Sequence, residues 1–147
     1  MSNEADLIKL YSARILALAA DIPHLERLES PDGSAHKRAP LCGSTVTVDV
    51  SCENGKITRF GQDVKACALG QAAASVVGAN VIGCSRVDLL KAKAEMLAML
   101  KDSAPPPEAP FDGLEVLIPA RDYKNRHASI MLCLDATLEA LDAAGCA

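Results

Sequence analysis

The sequence predicts an α+β fold: a small antiparallel sheet of about three strands, packed on helices along one face. Three observations lead there. Val46, Val48 and Val50 alternate with Thr45, Thr47 and Asp49, the two-residue period of a half-buried strand. Asn54-Gly55 follows, a pair that tolerates positive φ and closes hairpins, and residues 56–62 return with Ile57 and Phe60. Finally, 50% of the residues are hydrophobic, yet the chain has only two Phe, two Tyr and no Trp. The core is therefore aliphatic and rich in alanine, a composition that favours closely packed helices.

A chain of 147 residues is most simply one domain, spanning 1–147, with a sizeable core. A net charge of −4 argues against a general nucleic-acid binder. The start, Met1-Ser2-Asn3-Glu4-Ala5-Asp6, lacks the basic residues of a secretory signal. No apolar run approaches the roughly 20 residues of a membrane span. The expected compartment is cytoplasmic, where six cysteines stay reduced and point to metal or sulfur chemistry. Cys52, Cys84 and Cys146 are read as small core hydrophobes.

In chain order, Ser2 is a cap for a first helix that ends near Pro23, with Leu7, Leu10, Tyr11, Ile15, Leu18 and Ala19 as its apolar stripe. Pro23, Pro31 and Pro40 exclude a long helix between positions 21 and 40, and residues 34–38 form a short edge strand. His24 and His36 in this stretch read as exposed polar residues. In the hairpin, a turn at Asn54-Gly55 sets position 42 opposite 67. Pairing Val50 with Phe60 instead slips the register by one. Either way Cys42 and Cys67 come to the same open end. A small-residue helix runs from Cys67 to about Val77. Ser85-Arg86-Val87-Asp88 has capping-box spacing before a helix whose apolar face is Leu89, Leu90, Ala94, Leu97 and Leu100. Four prolines between 105 and 110 make an extended connector. Residues 114–118 are apolar and of uncertain type, and 121–126 form a polar loop. Ser129 opens the last helix, with Ile130, Met131, Leu134, Leu138 and Leu141 buried.

The chemistry centres on cysteine. Cys67 sits at a predicted helix N-terminus, where unpaired N–H groups and the dipole favour a thiolate, and Lys65 adds positive charge. Cys42 lies beside Gly43, whose backbone freedom allows close approach to a metal. Two ligands do not complete a tetrahedral site. Cys133 shares a helix face with Ser129, four residues earlier, and is a tentative third ligand or a core residue. His127 is another candidate near the start of the same helix. Cys-x-x-Cys, a Walker loop, Gly-x-Ser-x-Gly and a dinucleotide fingerprint are all missing.

Several segments together resemble the iron–sulfur cluster assembly scaffolds of the IscU, SufU and NifU N-terminal type. They are Leu10-Tyr11, Pro31-Asp32, Pro40-Leu41-Cys42-Gly43, Asn54-Gly55-Lys56-Ile57, Cys67 with its small-residue helix, and Pro119-Ala120-Arg121. The resemblance runs from about residue 7 to 141. It implies a carrier rather than a turnover enzyme, holding iron or a transient Fe–S cluster, supplied with sulfur by a cysteine desulfurase and passing its cargo to apo Fe–S acceptor proteins. Alternatives are a zinc-bound sulfur acceptor acting with a desulfurase, and an interaction module of the same fold without metal. Cys42 and Cys67 match the family's first two cysteines. The family's aspartate position holds Ser44, and gap-free matching puts Ser129 at its third cysteine. Cys133, His127, Asp63 or a partner's ligand then stand as ways to complete the site. The family's Leu-Pro-Pro-Val-Lys chaperone motif is replaced by Ile118-Pro119-Ala120-Arg121.

Overall fold

The computed structural model describes residues 11–146. The predicted cap at Ser2 and the first two residues of the first apolar stripe, Leu7 and Leu10, lie outside them. Within them Ser12 is an extended N-cap, its Oγ accepting from the Ile15 N–H at 3.3 Å, so the helix that ends before Pro23 is α1, Ala13–Ala20.

Three antiparallel strands follow, β1 (Gly33–Arg38), β2 (Thr45–Glu53) and β3 (Lys56–Lys65), in the order β1-β2-β3. The fold is α+β with a three-stranded antiparallel sheet, as the alternation and the hairpin signal predict. Both candidate registers are present. Cys52 pairs with Ile57 beside the turn, where Asn54 (φ 53°) and Gly55 (φ 76°) occupy left-handed backbone. Thr58 is then left unpaired as a bulge, and from Ser51–Arg59 onward the register shifts so that Val50 faces Phe60. The bulge satisfies both the turn chemistry and the hydrophobic pairing.

Helix α2 (Ala68–Asn80) and helix α4 (His127–Ala143) pack together, and α4 lies along the inner face of β1 and β2. Val46, Val48 and Val50 point into this layer. Helix α3 (Arg86–Lys101) lies beside α4. Ser85 and Asp88 form the expected capping box. The buried face of α3 is Leu89, Ala92, Met96, Met99 and Leu100, whereas Leu90 and Ala94 are exposed and Leu97 only half-buried. The two methionines outweigh the expected leucine phase because they continue the i, i+3, i+7 row from Leu89. Residues Asp112–Asp122 form a 3₁₀ helix over α2 and α3, where the sequence left the type open or predicted a loop.

The outer face of the sheet is not left to water. The segment after α1 crosses it, passing over Gly61, where an added β-carbon would lie 2.3 Å from the Glu26 carbonyl oxygen. Asp49, on the polar side of the alternation, is thereby fully buried. Its carboxylate accepts from Arg27 Nε (2.7 Å) and Nη2 (3.0 Å), from the Leu28 N–H (2.9 Å) and from the Ser34 hydroxyl. Burial alone raises the Asp49 pKa, but the hydrogen bonds from Arg27, Ser34 and the Leu28 N–H outweigh it, and the net shift is downward.

Asp49→Ala should therefore cost about 3 kcal/mol in urea unfolding at neutral pH, because several charge-assisted bonds disappear together. The carboxylate's contribution is complete above its ordinary pKa of 3.8 and is lost as the pH falls below that value through the lowered folded-state pKa. The difference between wild type and Asp49→Ala should shrink over that acid range and stay constant from pH 6 to 8.

Candidate functional site

The open end of the hairpin meets the start of α4. Cys42 stands in the β1–β2 connection, before Gly43 in left-handed backbone (φ 73°), and its side chain is exposed. Cys67 is the extended N-cap of α2 and is half-buried. Its side chain makes no cap hydrogen bond, so the thiol is left to face the site.

Ser129, in the first turns of α4, closes the group. Its hydroxyl donates to Ser44 Oγ at 3.0 Å and lies 3.5 Å from Cys67 Sγ, while Ser44 Oγ lies 3.1 Å from Cys42 Sγ. Two thiols thus form the rim and two buried hydroxyls the floor. The close approach depends on Gly70, one turn into α2. A β-carbon there would sit 2.7 Å from Ser129 Oγ and 3.1 Å from the Ser129 carbonyl oxygen.

The Cys42 thiol is activated. Its pKa is lowered, first by the Ser44 side chain and the Ser44 backbone N–H, and further by the Ser129 hydroxyl and the charge of Arg126, which together exceed the cost of partial burial. Two cations stand at the rim: Arg126, whose charge acts on Cys42, and Arg38. Arg38 and Lys65 both pair with Thr45 at the open end of the sheet, and the Arg38 guanidinium lies over Gly43. Among the described residues, Arg38, Lys65 and Arg126 take part in no ion pair.

The structure takes Cys133 elsewhere. It is buried one turn beyond Ser129, and its thiol donates to Gln62 Oε1 at 3.3 Å. Burial pushes its pKa up to about 12. Gln62, fully buried on the core side of β3, also donates from Nε2 to the Ala74 (3.1 Å) and Pro23 (3.3 Å) carbonyls. Gln62 is a residue the sequence reading missed. Its signal was a polar side chain at an inward position between Phe60 and Val64. His127 is buried with Nε2 2.9 Å from the Ala120 carbonyl oxygen, and two residues of helical rotation direct Ser129 to the opposite side of α4. It lines a groove with Leu97, Lys101 and Met131, not the cysteine end. Asp63 is exposed, paired with Thr47 in the sheet. His24 and His36 are exposed, as expected; His36 Nδ1 lies 2.7 Å from Thr47 Oγ1.

The donor set can be tested against a metal directly. Iron–sulfur clusters and zinc favour thiolates and imidazole, four donors to a zinc. This end of one chain offers two thiols and two hydroxyls, and no group of three or more Cys, His, Asp or Glu side chains suited to a metal occurs among the described residues. One copy alone does not fit a four-ligand site.

Fold and site together define a small α+β domain that presents a cysteine pair at one end of a three-stranded sheet. Among solved structures, the chain matches a nitrogen-fixing NifU-like protein (N-terminal) from Brucella abortus with a TM-score of 0.92 and 41% identity, over 95% of this chain and 97% of that one. This chain belongs to the NifU-like (N-terminal) family, in agreement with the resemblance read from its sequence. Two more distant structures share the fold. One is a putative iron–sulfur cluster assembly scaffold protein for the SUF system from thermophilic Fervidobacterium islandicum AW-1 (TM-score 0.78, 19% identity, 91% of this chain and 98% of that one). The other is a hypothetical protein (TM-score 0.77, 21% identity, 92% and 98%). No protein-family model and no curated protein matches the chain. Among the described residues, no helix is long and apolar enough to cross a membrane.

Removing the Ser44 hydroxyl should raise the Cys42 pKa toward the ordinary thiol value. Ser44→Ala is expected to slow iodoacetamide alkylation of Cys42 several-fold at pH 7, read by peptide mass mapping. Above about pH 10 both proteins should react alike, since both thiols are then ionised. Cys133 should stay unlabelled in the folded protein throughout.

Proposed function

We propose that this protein is a carrier in iron–sulfur cluster assembly. Cys42 accepts sulfur, and Cys42 and Cys67 hold the iron–sulfur cargo until it passes to an apo acceptor protein. The observation that carries this reading is the exposed Cys42 thiol, with its ionisation favoured, in one hydrogen-bonded group with Cys67. Membership of the NifU-like family supports it. The fold shared with a putative SUF-system scaffold is consistent with it.

The chain's own part begins with the Cys42 thiolate. A cysteine desulfurase carrying a persulfide is the sulfur donor. Cys42 Sγ attacks the terminal sulfur, a new sulfur–sulfur bond forms, the donor's sulfur–sulfur bond breaks, and the donor leaves as a thiolate. Arg126 and the two floor hydroxyls stabilise negative charge at Cys42 before the attack. Cys133 takes no part in this step; its thiol holds Gln62 in the core. The same two soft donors favour a second reading, a zinc-bound sulfur acceptor working with the same class of donor.

Anaerobic reconstitution with a desulfurase, cysteine and ferrous iron tests the proposal. Wild type should gain acid-labile sulfide and visible charge-transfer absorption. Cys42→Ala should lose both sulfur acceptance and cluster. Cys67→Ala should still take sulfur on Cys42 but hold no cluster. Cys133→Ala should keep both activities while losing about 1–3 kcal/mol of stability, because Gln62 Oε1 loses its donor. Colourless stoichiometric zinc with sulfur on Cys42 would select the second reading. Cluster loading of Cys42→Ala at the wild-type level would refute both.

A further inference from the structure

We infer that Cys52 and Cys146 form a redox-active dithiol. Oxidation by a peroxide joins them in a disulfide that fastens the end of α4 to the turn end of the sheet. The pair lies beside the hairpin turn, at the opposite end of β2 from Cys42 and Cys67. The inference stands apart from the carrier reading.

Two local devices bring these thiols together. The first is the strand. Val46, Val48, Val50 and Cys52 alternate onto the face that α4 covers. Val50 pairs with Gly33, and a β-carbon at Gly33 would overlap the Ala140 carbonyl and the Ala144 N–H. Helix α4 therefore ends against this part of the sheet, and Cys52 is the next inward residue along β2. The second device is the helix end. Gly145 takes left-handed backbone (φ 66°), its N–H donates to the Asp142 carbonyl at 3.1 Å, and the Cys146 N–H donates to the Leu141 carbonyl at 3.0 Å. This is the Schellman arrangement, which turns the residue after the glycine back onto the last turn. Cys146 is thereby buried, and its thiol meets that of half-buried Cys52 in a side-chain hydrogen bond.

Packing alone accounts for the burial of the two cysteines but not for their contact. Cys84 is a built-in comparison. It is buried close by, its carbonyl accepts from the Ile57 N–H at 2.9 Å, and Ile57 pairs with Cys52. Its thiol donates to the Asn80 carbonyl of α2 at 3.3 Å, as a small core residue with its one donor satisfied. Cys52 and Cys146 instead face each other. Thiols in hydrogen-bond contact need only side-chain rotation to reach the roughly 2.05 Å of a sulfur–sulfur bond.

Hydrogen peroxide is the oxidant that fits, because it is small enough to reach the sulfur of a residue only 8% exposed. Cys146 gives up its thiol proton, and its sulfur attacks one peroxide oxygen. A sulfur–oxygen bond forms, the oxygen–oxygen bond breaks, and the departing hydroxide takes up a proton to become water. Cys146 is then a sulfenic acid. The Cys52 sulfur attacks the Cys146 sulfur, a sulfur–sulfur bond forms, and the sulfur–oxygen bond breaks. The Cys52 proton leaves with that oxygen as a second water. Two thiols lose two electrons, and one peroxide is reduced to two waters. The order follows from Cys52: burial, then the hydrogen bond and charge of Cys146, push its pKa up to about 12, so it keeps its proton until the second step.

Full-length reduced protein is treated with hydrogen peroxide near neutral pH, the remaining thiols are capped with N-ethylmaleimide, and non-reducing digests are mapped by mass. A peptide pair joined through Cys52 and Cys146 is expected, lighter by two hydrogens than the reduced pair, and dithiothreitol should release it. Cys84→Ala should give the same cross-link at the wild-type yield. The bond closes the long stretch from β2 to the end of α4 into a loop, so the oxidised protein should melt about 5–10 °C above the reduced one. That comparison is made in Cys42→Ser/Cys67→Ser, where the rim thiols cannot contribute. Cys52 and Cys146 both capped after Cys42 has fully oxidised, a Cys84–Cys146 bond, or a cross-link between two chains would overturn the inference. Mapping of the wild type decides the question without any variant, so a substitution that fails to fold leaves the test intact.

Discussion

The amide of Gln62 sets the position of nearly everything around the site. It is the one polar side chain on β3 that points into the core, and it is fully buried. Both of its ends are occupied: Nε2 reaches the Ala74 carbonyl of α2 and the Pro23 carbonyl after α1, and Oε1 receives the Cys133 thiol of α4. A buried amide left unpaired is costly, so the three elements that satisfy it and the strand that carries it hold one relative arrangement. Fixing Cys133 fixes the rotation and the height of α4 against the sheet. Ser129 stands one turn earlier on the same face, so it arrives at the open end of the hairpin. Cys133 thus shapes the site from a distance, as a donor that registers a helix.

Glycine makes the corresponding approach possible at the other helix. Gly70 lets the Ser129 hydroxyl and carbonyl come against α2, and Gly61 lets the crossing segment reach Asp49 on the outer face. One contact closes the site and the other closes the back of the sheet. The outer contact is electrostatic, the inner one a matter of shape and hydrogen bonds. Together they hold β2 between two fixed layers, and the loop carrying Cys42 is anchored at both ends. The Ala39 N–H donates to the Ser44 carbonyl at 2.8 Å, and the Gly43 N–H donates to the Ala39 carbonyl at 3.1 Å. An exposed thiol on an ordered loop combines access with a defined position.

Much of this was legible because its signals are local. Valine alternation, Asn54-Gly55 and the small residues after Cys67 are short-range features, and they bring two distant cysteines to one end. The rotation of α4 was not legible. Ser129 and Cys133 lie on one face, so helical periodicity cannot say which of them reaches the cysteines. The distance of the helix start from the hairpin decides it, and that distance is set by Gln62. Asp49 was hidden for a related reason. An aspartate on the polar side of a strand reads as solvated, and only the crossing segment with Arg27 and Leu28 turns it into a buried anchor. The register of the hairpin was legible as a conflict between turn and pairing, and the Thr58 bulge resolves it by allowing both.

The two serines belong together. Ser129 is 1% exposed and Ser44 5%, so each hydroxyl needs a partner inside the protein. They provide it for each other at 3.0 Å and present their remaining capacity to Cys67 and Cys42. The paired hydroxyls leave a floor whose hydrogen bonds are satisfied within the protein. The same bonds that complete the floor lower the Cys42 pKa, so the groups that do not ligate still favour the thiolate. The end of the sheet is therefore a rim whose hydroxyl floor is satisfied within the protein, with an activated thiol at Cys42. With two thiols and two hydroxyls, one copy of this rim does not by itself offer the four soft donors that a zinc site takes.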